Sequence, residues 1–135
     1  MGTRSLTFVY DQYGEVQKPV CNMYRQFDGY PSGHGAELAE FLNKSESYNG
    51  MGCLAAQMVH NFKTESYNVY LYPTDVTNCG QDYEYHISQK KDGLYVEVFN
   101  CGSNMFGLTM SDTHELVFQG NLSEFTQFCS SEELV

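Results

Sequence analysis

The stretch that decides the fold is DYEYHISQKKDGLYVEVFN, Asp82–Asn100. Its first seven residues alternate, with Tyr83, Tyr85 and Ile87 on one side and Asp82, Glu84, His86 and Ser88 on the other. A period of two is the mark of a strand with one buried face. The turn QKKDG then leads into Leu94–Asn100, which returns with Val96 and Val98 inward and Glu97 outward. Two alternating runs around a short glycine-containing turn make a β-hairpin.

Arg4–Tyr10 (RSLTFVY) is rich in β-branched and aromatic residues and reads as a strand. DQYGE turns the chain, and Lys18–Phe27 runs back as a second strand, with Pro19 restricted to its start or to an edge. Val69–Tyr72 is a strand stopped by Pro73, and Glu115–Gln119 is another. Between these runs, Ala36–Asn43 places Leu38, Phe41 and Leu42 on one helical face. Cys53–Phe62 forms a second helix whose alanines suit close packing on a sheet, and Asn121 or Ser123 caps a last one through Phe128. This order predicts an α+β fold over residues 1–135 as a single domain. The expected sheet is mostly antiparallel, of five to six strands, with two helices after the first hairpin on one face and a short C-terminal helix.

At 135 residues the chain can bury roughly 68% of its unfolded surface, enough to fold without a metal or disulfide. Five cysteines, at 21, 53, 79, 101 and 129, form no CxxC pair, and an odd number cannot close a disulfide framework. Buried reduced thiols are expected, which points to a reducing cytoplasm. The start, MGTRSLTFVY, lacks the apolar run of a signal peptide, and nothing downstream is long enough to span a bilayer. The expectation is a cytoplasmic protein without membrane contact.

The net charge is −10, and residues 64–135 carry eleven acids against Lys90 and Lys91. Such a balance argues against phosphate-neutralising contact with nucleic acid. It fits either simple solubility or a face turned to a basic partner. The second reading places Asp82, Glu84 and Glu97 in one exposed carboxylate row on the hairpin, steering a basic host protein towards it.

The loop MYRQFDGYPSGHG, Met23–Gly35, concentrates charged, aromatic and glycine residues between a strand and a helix. Gly33-x-Gly35 and Gly50-x-Gly52 open the first two helices with the same pattern, in GHGAELAEFL and GMGCLAAQMV. Helix starts offer unpaired N–H groups to anions, and glycine lets a ligand approach the backbone. A small nucleotide or phosphate-containing ligand is one reading, held by Arg4, Arg25, Asp28, Tyr30, Gly33, His34, Gly35, Gly50 and Gly52. The other is that the glycines serve tight turns, Arg25 pairs with Asp28, and His34 is a turn residue rather than a switch or base. No P-loop or complete dinucleotide fingerprint is present.

Catalysis has little support in the spacing. Cys53 and His60 lie two helical turns apart, too far for a nucleophile and its base. His34, His60, His86 and His114 are scattered without HxxxH or CxxC spacing. No catalytic residue, metal ligand or cofactor is therefore assigned.

GTRSLT near the start, YRQFDGYPSGHGAELAEFL, and NGMGCLAAQ followed by YLYP resemble a group of small phage and bacterial proteins of undefined function. The resemblance covers about the first 72 residues and carries no catalytic residue across. It implies a compact intracellular protein, phage-borne. The functional expectation is a non-enzymatic accessory factor that binds a host protein.

Overall fold

The computed structural model describes residues 2–102 and 114–132. Strands β1 (Ser5–Tyr13), β2 (Val16–Arg25), β3 (Val69–Leu71), β4 (Tyr83–Lys90), β5 (Gly93–Asn100) and β6 (Glu115–Asn121) form one sheet in the order β3-β2-β1-β4-β5-β6. All neighbours are antiparallel except β1 and β4, which run parallel with Ser5 opposite Tyr83. The α+β class and the mostly antiparallel sheet are as expected.

The first hairpin is longer than the sequence pattern suggests. Gly14 takes a φ of +67°, so a two-residue turn suffices and pairing continues to Tyr13 opposite Val16. Pro19 sits inside β2, at a stretch that is an edge of the sheet because β3 pairs only with Met23–Arg25. Its missing N–H is tolerated because the ladder slips there, Val9 facing Cys21 and Tyr10 facing Pro19. The second hairpin closes as its alternation predicts, with Lys90 opposite Gly93.

Helices α1 (Ala36–Lys44), α2 (Gly50–Phe62) and α3 (Leu122–Glu132) pack on the same face of the sheet. Leu38 and Leu42 of α1, Leu54 and Met58 of α2, and Phe125 of α3 meet Val9, Met23, Tyr85, Ile87, Val96 and Val98. Asn121 caps α3. Its carbonyl Oδ1 accepts the Glu124 N–H at 2.8 Å, while Glu124 Oε1 accepts the Asn121 N–H at 2.9 Å. This reciprocal box satisfies two otherwise orphaned donors.

The other face is not left to solvent. Between β3 and β4 the chain crosses it, held by Asn22, whose Nδ2 donates to the carbonyls of Pro73 and Val76. Beneath this crossing Leu6, Phe8 and Tyr24 form a second, smaller core with Tyr72 and Cys79. The parallel pairing of β1 with β4 follows from the same path, because the crossing delivers β4 beside β1 instead of beside β3.

Candidate functional site

The loop after β2 turns on Asp28, whose φ is +60°. Its carbonyl accepts the His34 N–H at 2.7 Å, and the chain then winds through a π-helical turn, Pro31–Gly35, directly into α1. His34 is fully buried. Arg25 Nη1, which can only donate, points at His34 Nδ1 at 3.2 Å, so the ring proton is on Nε2 and is donated to Thr7 Oγ1 at 2.7 Å. Burial, and next the Arg25 charge, push the His34 pKa down to about 3. It is a neutral core histidine, packed edge-on against Tyr85.

Arg25 is fully engaged. Its guanidinium grips Glu37 through two bonds of 3.1 and 3.2 Å, and its Nε donates to the Phe27 carbonyl at 2.6 Å. The partner is thus Glu37, not Asp28, because α1 brings a carboxylate into line with the guanidinium plane. Asp28 instead accepts the Tyr30 hydroxyl at 3.3 Å, and both lie exposed.

The residues proposed for an anion do not converge. Arg4 and Arg25 share one end of the sheet but lie on opposite faces. Arg25 is on the helix side beside His34, and Arg4 is on the other side beside Gly80. The N–H groups of Gly33 and Gly35 are both directed at the Tyr30 carbonyl. Gly50 and Met51 lie near Tyr10 and Asp11, towards the far end of β1. Gly29, just before the first Gly-x-Gly turn, sits against Arg4 and Ser5 at the near end of β1. His34 of the first start is bonded to Thr7, so the two helix starts are separated by roughly 10 Å of strand.

A different cluster forms on the helix-free face. Glu84 is 3% exposed, so the carboxylate row expected of Asp82, Glu84 and Glu97 is not an open one. The alternation did place Glu84 away from the helices. The cover over this face, which strand periodicity does not report, is what buries it. Both carboxylate oxygens are occupied: Oε1 by His86 Nε2 at 3.0 Å, Oε2 by His114 Nε2 at 3.0 Å and by Gln81 Nε2 at 2.8 Å. With its Nε2–H given to Glu84, His86 accepts the Tyr10 hydroxyl proton at Nδ1, 2.7 Å away. Phe8 stacks on the His86 ring at 4.8 Å, and Phe99 closes its edge.

Burial opposes the charge on Glu84, but the hydrogen bonds from His86 and Gln81 and the two imidazoles hold its pKa below the ordinary value. The carboxylate raises its neighbours in turn. Burial, then Glu84 and Glu97, push Tyr10 up to about 12, and burial with Glu84 lifts Cys79 to about 11. Cys101 is raised by burial and by Glu84 and Asp82. Phenol and thiols here are protonated, which is the reverse of an activated nucleophile. The donor atoms of Glu84, Cys101 and His114 all lie within 4.8 Å of one another. Scattered spacing hid this set, since the three residues come from three segments that meet only at the ends of β4, β5 and β6.

Cys21, Cys53, Cys79 and Cys101 are free thiols. No described helix is long and apolar enough to cross a membrane. Comparison with protein-family models, with curated proteins and with solved structures gives no match.

Proposed function

We propose that the chain is an accessory protein that binds a basic, extended segment of a host protein at the β3 edge of its sheet. The observation that carries this is the aromatic and aliphatic surface there. Tyr67 is 72% exposed, Leu71 61% and Phe27 51%. Phe27 and Tyr67 stand just beyond the last rungs of the β2–β3 ladder, with Gln26 bonded to Asn68. Exposed tyrosine and phenylalanine grouped at one edge are typical of surfaces that bury against a partner.

Two adjoining hollows give this edge its chemistry. One, of about 380 Å³, is lined by Met23, Val59, Tyr70 and Leu71 and by Lys63, whose ammonium is held by the Ser66 and Val69 carbonyls, and it suits an apolar side chain. The other, of about 280 Å³, carries Asp28, Glu37 and Glu65, and its one arginine, Arg25, is already paired. Val69 belongs to both. A segment with neighbouring basic and apolar residues matches the pair.

The test is capture from a bacterial lysate by wild type, Leu71→Asp and Glu65→Lys, each at low and high salt. The reading expects Leu71→Asp to lose the partner at both salt levels. Glu65→Lys should lose it chiefly at low salt, where charge attraction is least screened. Equal capture by all three proteins would refute the assignment of this edge.

A further inference from the structure

We propose that Glu84, Cys101 and His114 form a binding site for a zinc-class divalent transition-metal ion on the helix-free face of the sheet. Glu84 is the second residue of β4, Cys101 directly follows β5, and His114 directly precedes β6. Because β4, β5 and β6 are consecutive neighbours, these positions fall at one end of the sheet. Asn100 is opposite Tyr83 on one side and opposite Glu115 on the other. The Cys101 N–H donates to the Asp82 carbonyl at 2.7 Å, which fastens the thiol-bearing residue to the start of β4.

The donor geometry is compact. One oxygen, one sulfur and one ring nitrogen lie within 4.8 Å of one another, and Glu84 Oε2 is 3.0 Å from His114 Nε2. Donors around a tetrahedral zinc ion, with bonds of about 2.0–2.3 Å, stand roughly 3–4 Å apart. Small side-chain movements therefore suffice. For the ion to bind, the His114 ring proton shifts from Nε2 to Nδ1, freeing Nε2 as a neutral ligand, and the Cys101 thiol proton is released to solvent. A mixed N, S and O set selects zinc-like ions over calcium or magnesium, which want oxygen alone.

The groups around the trio are those a metal site uses to hold its ligands. His86 occupies the second oxygen of Glu84 and is itself fixed by Tyr10, while Gln81 donates to Glu84 and to the Thr77 carbonyl. A ligating carboxylate held in this way keeps its orientation. Phe99 packs against both His86 and His114, 5.3 and 5.7 Å between ring centres, and restricts the rotation of each. Three protein ligands leave the fourth coordination position to water or to a bound molecule.

The experiment is cobalt substitution of protein prepared in chelator, with Co²⁺ as the probe. Wild type should take up one ion per chain with a thiolate-to-cobalt charge-transfer absorption, and added Zn²⁺ should bleach it. Cys101→Ser should abolish that absorption, while Cys53→Ser, on α2, should leave it intact. His114→Ala, at a half-buried position, should keep the fold by circular dichroism. It should weaken affinity by at least the about tenfold that loss of a merely supporting group causes. Absence of the absorption in wild type, or wild-type binding by Cys101→Ser or His114→Ala, would overturn the proposal. Should Cys101→Ser not fold, wild type and His114→Ala decide it.

Discussion

Gly33-His34-Gly35 and Gly50-Met51-Gly52 open two successive helices with one local pattern, and the fold treats them in opposite ways. The first is pressed between the sheet and α3. A Cβ on Gly33 would meet the Asp28 carbonyl oxygen at 2.5 Å, and one on Gly35 the Cys129 sulfur at 2.9 Å. The second stands at an open end, with nothing within 4 Å of either glycine's absent side chain. The middle residue follows suit in chemistry. His34 ties loop, sheet and arginine together through two polar contacts, whereas Met51 fills space as an apolar side chain. A Gly-x-Gly start is thus a permission for close approach. What approaches is set by the rest of the chain, and in the first case it is the protein itself.

The largest expected effect comes from the middle residues. His34→Ala removes a ring packed against Phe62 and Tyr85 and leaves Thr7 and Arg25 without their partner. A loss of about 3–4 kcal/mol is expected. Met51→Ala should cost about 2 kcal/mol, a cavity alone. Urea unfolding of both variants checks this, and equal losses would erase the distinction between the two starts.

Gly35 is the next lever. A methyl group there forces the Cys129 sulfur to move, so Gly35→Ala should destabilise by about 1–3 kcal/mol. Thermal melting reads this directly. An unchanged melting temperature would mean that α3 can shift to admit a side chain.

What could be read from the sequence, and what could not, divides along a physical line. The Asp82–Asn100 hairpin was legible because alternation and a glycine turn are local signals; α1 was legible from its apolar spacing, and α2 from its alanine-rich run, although it starts at Gly50 rather than Cys53. The partner of Arg25 was not. Glu37 lies twelve residues on, and only the π-helical turn swings it into line with the guanidinium. The Glu84–Cys101–His114 set was hidden for a stronger reason, since strand order decides which ends meet. A search for His, Cys and Glu at matching ends of neighbouring strands would have raised it. The crossing from β3 to β4 carries no periodicity, so the burial of Glu84 beneath that covered face had no sequence signature.

Acidification probes the first start by a different route. His34 binds its proton only near pH 3 when folded, against 6.5 for the ordinary side chain. Between these values the unfolded chain holds more protons than the native one, so stability falls as pH drops from about 6.5 towards 3. The slope from this one group is roughly 1 kcal/mol per pH unit. The Glu84 carboxyl, held below its usual range, adds a further loss only in the more acid part of that window. His34→Gln should flatten the dependence of the unfolding midpoint between pH 6.5 and 5, although it is less stable throughout. A slope that survives this change would place the titrating group elsewhere.

The smallest effect is also the one with the opposite sign. Gly52 lies in the first turn of α2, exposed, with open space where a side chain would stand and no left-handed φ to accommodate. Glycine at such a site holds the helix back by about 0.5–1 kcal/mol relative to alanine, because the unfolded chain has more conformations to lose. Gly52→Ala should therefore raise the melting temperature by a few degrees. Gly50 does not share this prospect, since its φ of +83° penalises any side chain. Paired with the loss expected for Gly35→Ala, a gain at Gly52 would show that one pattern serves contact in the first helix and only chain reversal in the second. A loss at Gly52 would mean instead that something approaches that backbone. In that case the second helix start, rather than the first, would be the place to search for a ligand.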